Sequence, residues 1–215
     1  MAAASEKLAA LRHLIAGRFP ASTRAPGRTL STGIPAIDEA AGGLPLGALT
    51  EIVCAAPSCG SLLFLEQILA ATRATRTRVA LVDSSDSFDP ASFPTDLLAH
   101  LVWVRCTAAA ALAATDLLAR DANLGLVVLD LRRSAESELR RTPSTIWYRL
   151  QRAVEPADLA LLVLTPRATV PSAQLRFSLG ASHPVNAIET ERPVLSVALR
   201  PELQRQRHAA RGAVA

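Results

Sequence analysis

Apolar and polar positions along the chain fall into three successive patterns. Residues 5–18 place Leu8, Leu11, Leu14 and Ile15 on one stripe near the 3.6-residue period, and Ser5 could cap the run, which predicts a helix within residues 1–19. The stretch PASTRAPGR (20–28) breaks that period with Pro, Ser and Gly and reads as a linker. From residue 48 onward, short apolar runs alternate with longer helical ones. Strands are expected at 48–53, 78–83, 101–105, 125–131, 159–165, 173–179 and 194–200, and helices at 60–74, 107–120 and 144–155. Continuous apolar strands separated by helices imply an α/β fold with a mostly parallel, twisted sheet covered by helices on both faces. The last two runs have only a Pro-containing loop between them, so they are expected to form an antiparallel edge pair. The core domain is thus expected over residues 29–200. Residues 201–215, with Arg205, Arg207 and Arg211, are expected to form a basic, partly disordered tail.

Composition narrows this picture. The 215 residues are half apolar with a mean hydropathy of +0.25, enough for a true core and too apolar for wholesale disorder. No apolar run approaches the roughly 18 residues that a membrane span requires. The first twenty residues mix charged with apolar positions, unlike a secretory signal, so a cytoplasmic protein without a membrane partner is expected. Three cysteines, Cys54, Cys59 and Cys106, have neither CxxC spacing nor a histidine close in sequence; they read as buried free thiols, and no metal site is expected. The net charge of +4 is carried almost wholly by arginine, because Lys7 is the only lysine.

The segment LSTGIPAIDEAAGGLPLGALTEIVCAAPSCGSLLFLEQIL (30–69) carries the chemistry. Ser31, Thr32, Gly33, Ile37, Asp38, Gly42, Gly43, Leu44, Pro45, Gly47, Glu51 and Ile52 together resemble the opening of the RecA-type P-loop ATPase core, and the resemblance continues through 81–90 and 125–130 to about residue 180. It implies a phosphate loop at 55–62. Such a loop needs GxxxxGK[ST]: glycines that turn N–H groups toward phosphate, a lysine for the β/γ-phosphates and a hydroxyl for Mg²⁺. Here the stretch is Ala55-Ala56-Pro57-Ser58-Cys59-Gly60-Ser61-Leu62. Gly60 remains, Ser61 stands at the lysine position, Leu62 at the hydroxyl position, and Pro57 lacks an N–H. The water-orienting glutamate of the family maps onto Ser85, and its phosphate-sensing glutamine onto Pro166. Asp130 stands where the Mg²⁺-coordinating aspartate belongs and Asp89 where the family contacts adenine. Gly60, Ser61, Asp89 and Asp130 therefore mark a degenerate nucleotide site; for Asp130 the competing reading is local hydrogen bonding at a strand end. Losing charge stabilisation, metal and water positioning together removes several catalytic contributions at once, so no catalytic residue and no ATP or Mg²⁺ cofactor is expected.

A RecA-like core of this length with a degenerate phosphate loop is similar to the ImuA family, accessory factors of damage-induced (SOS) translesion DNA synthesis. That resemblance implies an ImuB-like polymerase homologue as partner, with RecA and DNA as further candidates. The stripe Leu8, Leu11, Ile15 could dock a partner or pack on its own core. Arg132, Arg133, Arg140, Arg141 and Arg167 follow strands where RecA carries DNA-binding loops and could contact phosphates, or form a solvated face. No aromatic residues interleave with them. Two other functions remain open: residual ATP binding or weak DNA-dependent ATPase activity, and a SulA-like inhibitor of cell division acting on FtsZ.

Overall fold

The computed structural model describes residues 28–207. The stripe Leu8, Leu11, Ile15, the 20–27 part of the linker and residues 208–215 lie outside the described residues. The strands are β1 (Thr29–Leu30), β2 (Leu44–Pro45), β3 (Ala48–Cys54), β4 (Val79–Asp83), β5 (Leu101–Arg105), β6 (Leu126–Asp130), β7 (Ala160–Thr165), β8 (Leu175–Leu179) and β9 (Glu202–Gln206). The helices are α1 (Pro35–Ala41), α2 (Ser61–Ala74), α3 (Thr95–Leu98), α4 (Ala108–Leu118), α5 (Glu136–Arg141), α6 (Ser144–Val154) and α7 (Arg192–Val197).

β1 and β2 form a small antiparallel pair, and the other seven strands make one sheet in the order β5-β4-β6-β7-β3-β8-β9. Every neighbour in that sheet is parallel except β8 and β9. The long central strands read as unbroken apolar runs because both of their faces are covered. On one face, Phe64, Leu65, Ile68 and Leu69 of α2 pack with Ile52, Leu81, Val128 and Leu162. On the other, Trp147, Leu150 and Val154 of α6 and Ala111 of α4 pack with Leu49, Val82, Val127 and Leu161. Burying Trp147 in this second layer is worth roughly 3–5 kcal/mol against truncation to alanine.

The serine-threonine-glycine stretch earns its place by turn chemistry. The Asp38 carboxylate accepts from Ser31 Oγ, Thr32 N, Thr32 Oγ1 and Gly33 N at 2.6–3.2 Å, closing a polar box at the start of α1. Gly43 is needed for another reason. Its φ is 106°, and a Cβ there would sit 2.4 Å from the Leu30 carbonyl oxygen.

The C-terminal edge differs from expectation. Residues 194–200 are not the edge strand: residues 192–197 form α7, and the antiparallel partner of β8 is β9, inside the stretch expected to be tail. Pro193 favours the first turn of a helix, and Leu195, Ser196 and Leu199 turn inward at helical spacing while Val194 and Val197 project outward. A short apolar run fits either period, so its pattern does not discriminate. β9 was disguised by its polar sequence, ELQRQ, which suits an exposed sheet edge.

Candidate functional site

In a parallel sheet with helices on both faces, the carboxyl ends of the strands form the natural ligand crevice. The sequence-predicted loop lies there. β3 ends at Cys54, the chain turns through Ala55–Cys59 with Ser58 at φ 53°, and Gly60 at φ 79° begins α2. Beside it opens a cavity of about 1200 Å³, lined by the loop, by Arg132 and Arg133 after β6, by Pro166 after β7, and by residues between β8 and β9.

Three side chains from separate positions meet at that wall, Arg132 and Ser61 lining the cavity and Asp130 lying behind them. Asp130, 3% exposed at the tip of β6, accepts from Arg132 Nε at 2.9 Å and from Arg132 Nη2 at 2.5 Å. Asp130 also accepts from the Arg132 backbone N–H at 3.0 Å, which fixes the turn after the strand. The remaining arm of the guanidinium, Nη1, donates to Ser61 Oγ at the start of α2. Burial works against the charge of Arg132, but the hydrogen bond and attraction of Asp130 outweigh it and raise its pKa further. The result is a fixed cation between the strand-end aspartate and the position where a phosphate loop carries its lysine. A Mg²⁺ ion seeking Asp130 would have to displace this arginine, and Leu62 offers it no oxygen. Neither Pro57 nor Leu62 can supply what the loop pattern requires, so these residues do not fit a Mg²⁺-nucleotide.

The loop is also engaged from outside. The Ser182 hydroxyl donates to Pro57 O at 2.7 Å and His183 N donates to Ser58 O at 3.0 Å. Gly60 packs so tightly against this segment that a Cβ would lie 2.6 Å from Leu199 Cδ2 and 3.0 Å from His183 Nε2. Arg192 fastens the other end. It donates to Ser92 O, lies 3.4 Å from Glu66 and sits over the Phe93 ring at 5.9 Å. Residues 181–199 thus form a wall over the loop, with Val185 and Ile188 largely exposed on it.

The other site residues separate. Asp89 does not line the cavity: it caps the 3₁₀ turn at Pro90–Ser92 by accepting from Ala91 N and Ser92 Oγ. Ser85 is exposed at the end of β4, beside the buried Asp83. Burial alone would raise the Asp83 carboxyl, but hydrogen bonds from Phe88 N, Ser87 N, Ser85 N and the Trp103 indole hold it below its ordinary value. The five arginines also divide. Arg132 is only 13% exposed and is turned inward, unlike a phosphate-contacting surface group. Arg140 and Arg167 share Glu136, which offsets one of their two charges. Arg133 and Arg141 are exposed and, among the described residues, face no carboxylate within ion-pair distance.

Sequence reasoning overlooked three features. It left the lysine position, Ser61, without a cation, whereas Arg132 reaches Ser61 from the end of β6. Its signal was the two-residue spacing from a strand-end aspartate. It read Cys54 and Cys59 only as buried free thiols, whereas both line the cavity. It had no signal for the wall at 181–199, because nothing local marks which surface that segment covers. No protein-family model matches the chain, and no curated protein sequence matches it.

Proposed function

We propose that this chain is a RecA-like protein that no longer hydrolyses ATP and works as an accessory factor of damage-induced translesion DNA synthesis, through contact with an ImuB-like polymerase homologue and with RecA. The observation that carries the loss of ATP chemistry is the Asp130–Arg132–Ser61 bridge. It places a permanent internal cation where an ATPase keeps its exchangeable metal and its lysine. Strand order, the helix following β3 and the location of the crevice support the RecA-like reading. The translesion role rests on the resemblance of the 30–69 motif. Co-purification tests it: the full chain retains the polymerase homologue when both are co-expressed, and retention of FtsZ instead makes it a SulA-like inhibitor.

One observation favours residual nucleotide binding as a second reading. The cavity beside the loop remains large, and Arg132 and Arg133 both line it. Binding of a nucleotide through its phosphates without Mg²⁺ would fit that wall better than turnover would.

A further inference from the structure

The cavity beside the loop has two kinds of lining that the fold leaves unsatisfied. The first is polar. Arg132, Arg133 and Arg192 line it, and among the described residues no aspartate or glutamate does. Two of the three arginines are paired from behind, Arg132 by Asp130 and Arg192 by Glu66 at 3.4 Å. Arg133 is exposed and, among the described residues, has no carboxylate within ion-pair distance, so one of the three arginine charges lacks a partner. Ser87, which also lines the cavity, has a buried hydroxyl with no hydrogen-bond partner among the described residues.

The second is apolar. Val185 and Ile188 stand on the 3₁₀ turn Val185–Glu189, line the cavity and are 92% and 88% exposed. Pro57, Leu62, Pro166 and Leu195 extend this lining. Exposed apolar area gains by being covered, in proportion to the area removed from water. From the two linings together we infer that the cavity binds a small amphipathic monocarboxylate, its head held by Arg133 and its hydrocarbon body laid against Val185 and Ile188.

Charge and shape select this class over a nucleotide. A polyphosphate brings several negative charges to a wall with one unpaired arginine, whereas a carboxylate brings one. It is also the acceptor that the Ser87 hydroxyl lacks. No aromatic residue lines the cavity among the described residues, so a purine base finds no ring to stack on. The volume of about 1200 Å³ exceeds the roughly 300–1000 Å³ of common small-molecule sites, which leaves room for an extended hydrocarbon body beyond the head. Such a ligand needs no metal, in keeping with Leu62 at the hydroxyl position. The inference narrows the metal-free anion binding proposed above and rests on it; the translesion role does not enter.

Calorimetric titration of the full chain with octanoate, in the absence of Mg²⁺, gives the test. Saturable binding at one site is expected. Acetate, which lacks the body, and octylammonium, which reverses the charge, are expected to bind about tenfold more weakly or worse. Arg133→Ala is expected to weaken octanoate roughly tenfold, and Ile188→Ser and Ser87→Ala about threefold each. Arg133 and Ile188 are exposed and the Ser87 hydroxyl has no partner, so these variants remove little from the fold. The three-ligand comparison uses the unsubstituted chain and needs no variant. Octanoate that binds equally well to Arg133→Ala, or no better than octylammonium, overturns the inference. So does the absence of saturable octanoate binding. ATP without Mg²⁺, titrated alongside, separates the two failures: if ATP alone binds, only the monocarboxylate is lost, and if neither binds, the metal-free anion site falls with it.

Discussion

Two buried carboxylates stand in the same sheet, Glu51 in the middle of β3 and Asp130 at the end of β6, each bound to an arginine, and they do different things. Glu51, fully buried in β3, accepts from Thr165 Oγ1, Thr169 N, Val170 N and Arg176 Nε at 2.6–3.1 Å. Its donors lie more than a hundred residues away in sequence, so it fastens the central strand to the loop after β7 and to β8. It touches no part of the cavity. Asp130 instead takes an arginine two residues further along, and that arginine passes its last donor to Ser61 on the cavity wall. The first pair is a clasp within the fold. The second is a cation placed in a site, where its removal changes what the site can accept as well as how stable the chain is.

The sharpest way to break the comparison is to remove each carboxylate. Glu51→Ala leaves Arg176 buried without its counter-charge and two backbone N–H groups unpaired, so stability is expected to fall by about 4 kcal/mol in urea unfolding. Asp130→Ala is expected to cost less, about 2 kcal/mol, because Arg132 keeps Ser61 and can turn into the cavity. Equal losses would mean that the Asp130 pair is also purely structural. Next comes Gly60→Ala, which forces an L-residue to φ 79° against Leu199 and His183; a loss of about 1.5 kcal/mol is expected by thermal unfolding.

The effect of Asp83 is smaller because it shows only in acid. Its folded pKa lies below the ordinary 3.8, so its stabilisation is present above that value and is lost as pH falls toward the folded value. Unfolding midpoints of the parent chain should therefore drop more steeply below about pH 4 than those of Asp83→Asn; parallel curves contradict the assignment. The least effect is expected at the surface: Arg140→Ala or Arg167→Ala should change stability by under about 0.5 kcal/mol, since their pairs with Glu136 are solvent-exposed.

What the sequence made legible follows the same division. β3, β4, β6, β7 and β8 were readable as largely apolar runs that the fold buries, β5 as an apolar run although it lies half-exposed at the sheet edge, and α2, α4 and α6 because their lengths exceed any strand. The clasp was half legible: Glu51 stood out in the motif, but Arg176 and the loop at 166–170 are joined to it only by folding. The chemistry of the 55–62 loop was legible position by position, since Pro57, Ser61 and Leu62 each withhold a group that Mg²⁺-phosphate binding needs. The cation beside it was not, because Arg132 reaches Ser61 through space. The edge strand β9 and the wall at 181–199 were lost for a simpler reason. Exposed edges and covering segments carry no periodic apolar signal.

Equilibrium binding of labelled ATP with Mg²⁺ to the full chain tests the central claim most directly. With Arg132 held between Asp130 and Ser61, no saturable Mg²⁺-dependent binding is expected in the micromolar range, and Asp130→Ala should change nothing. Saturable micromolar binding that requires Mg²⁺ and disappears in Asp130→Ala would contradict the account.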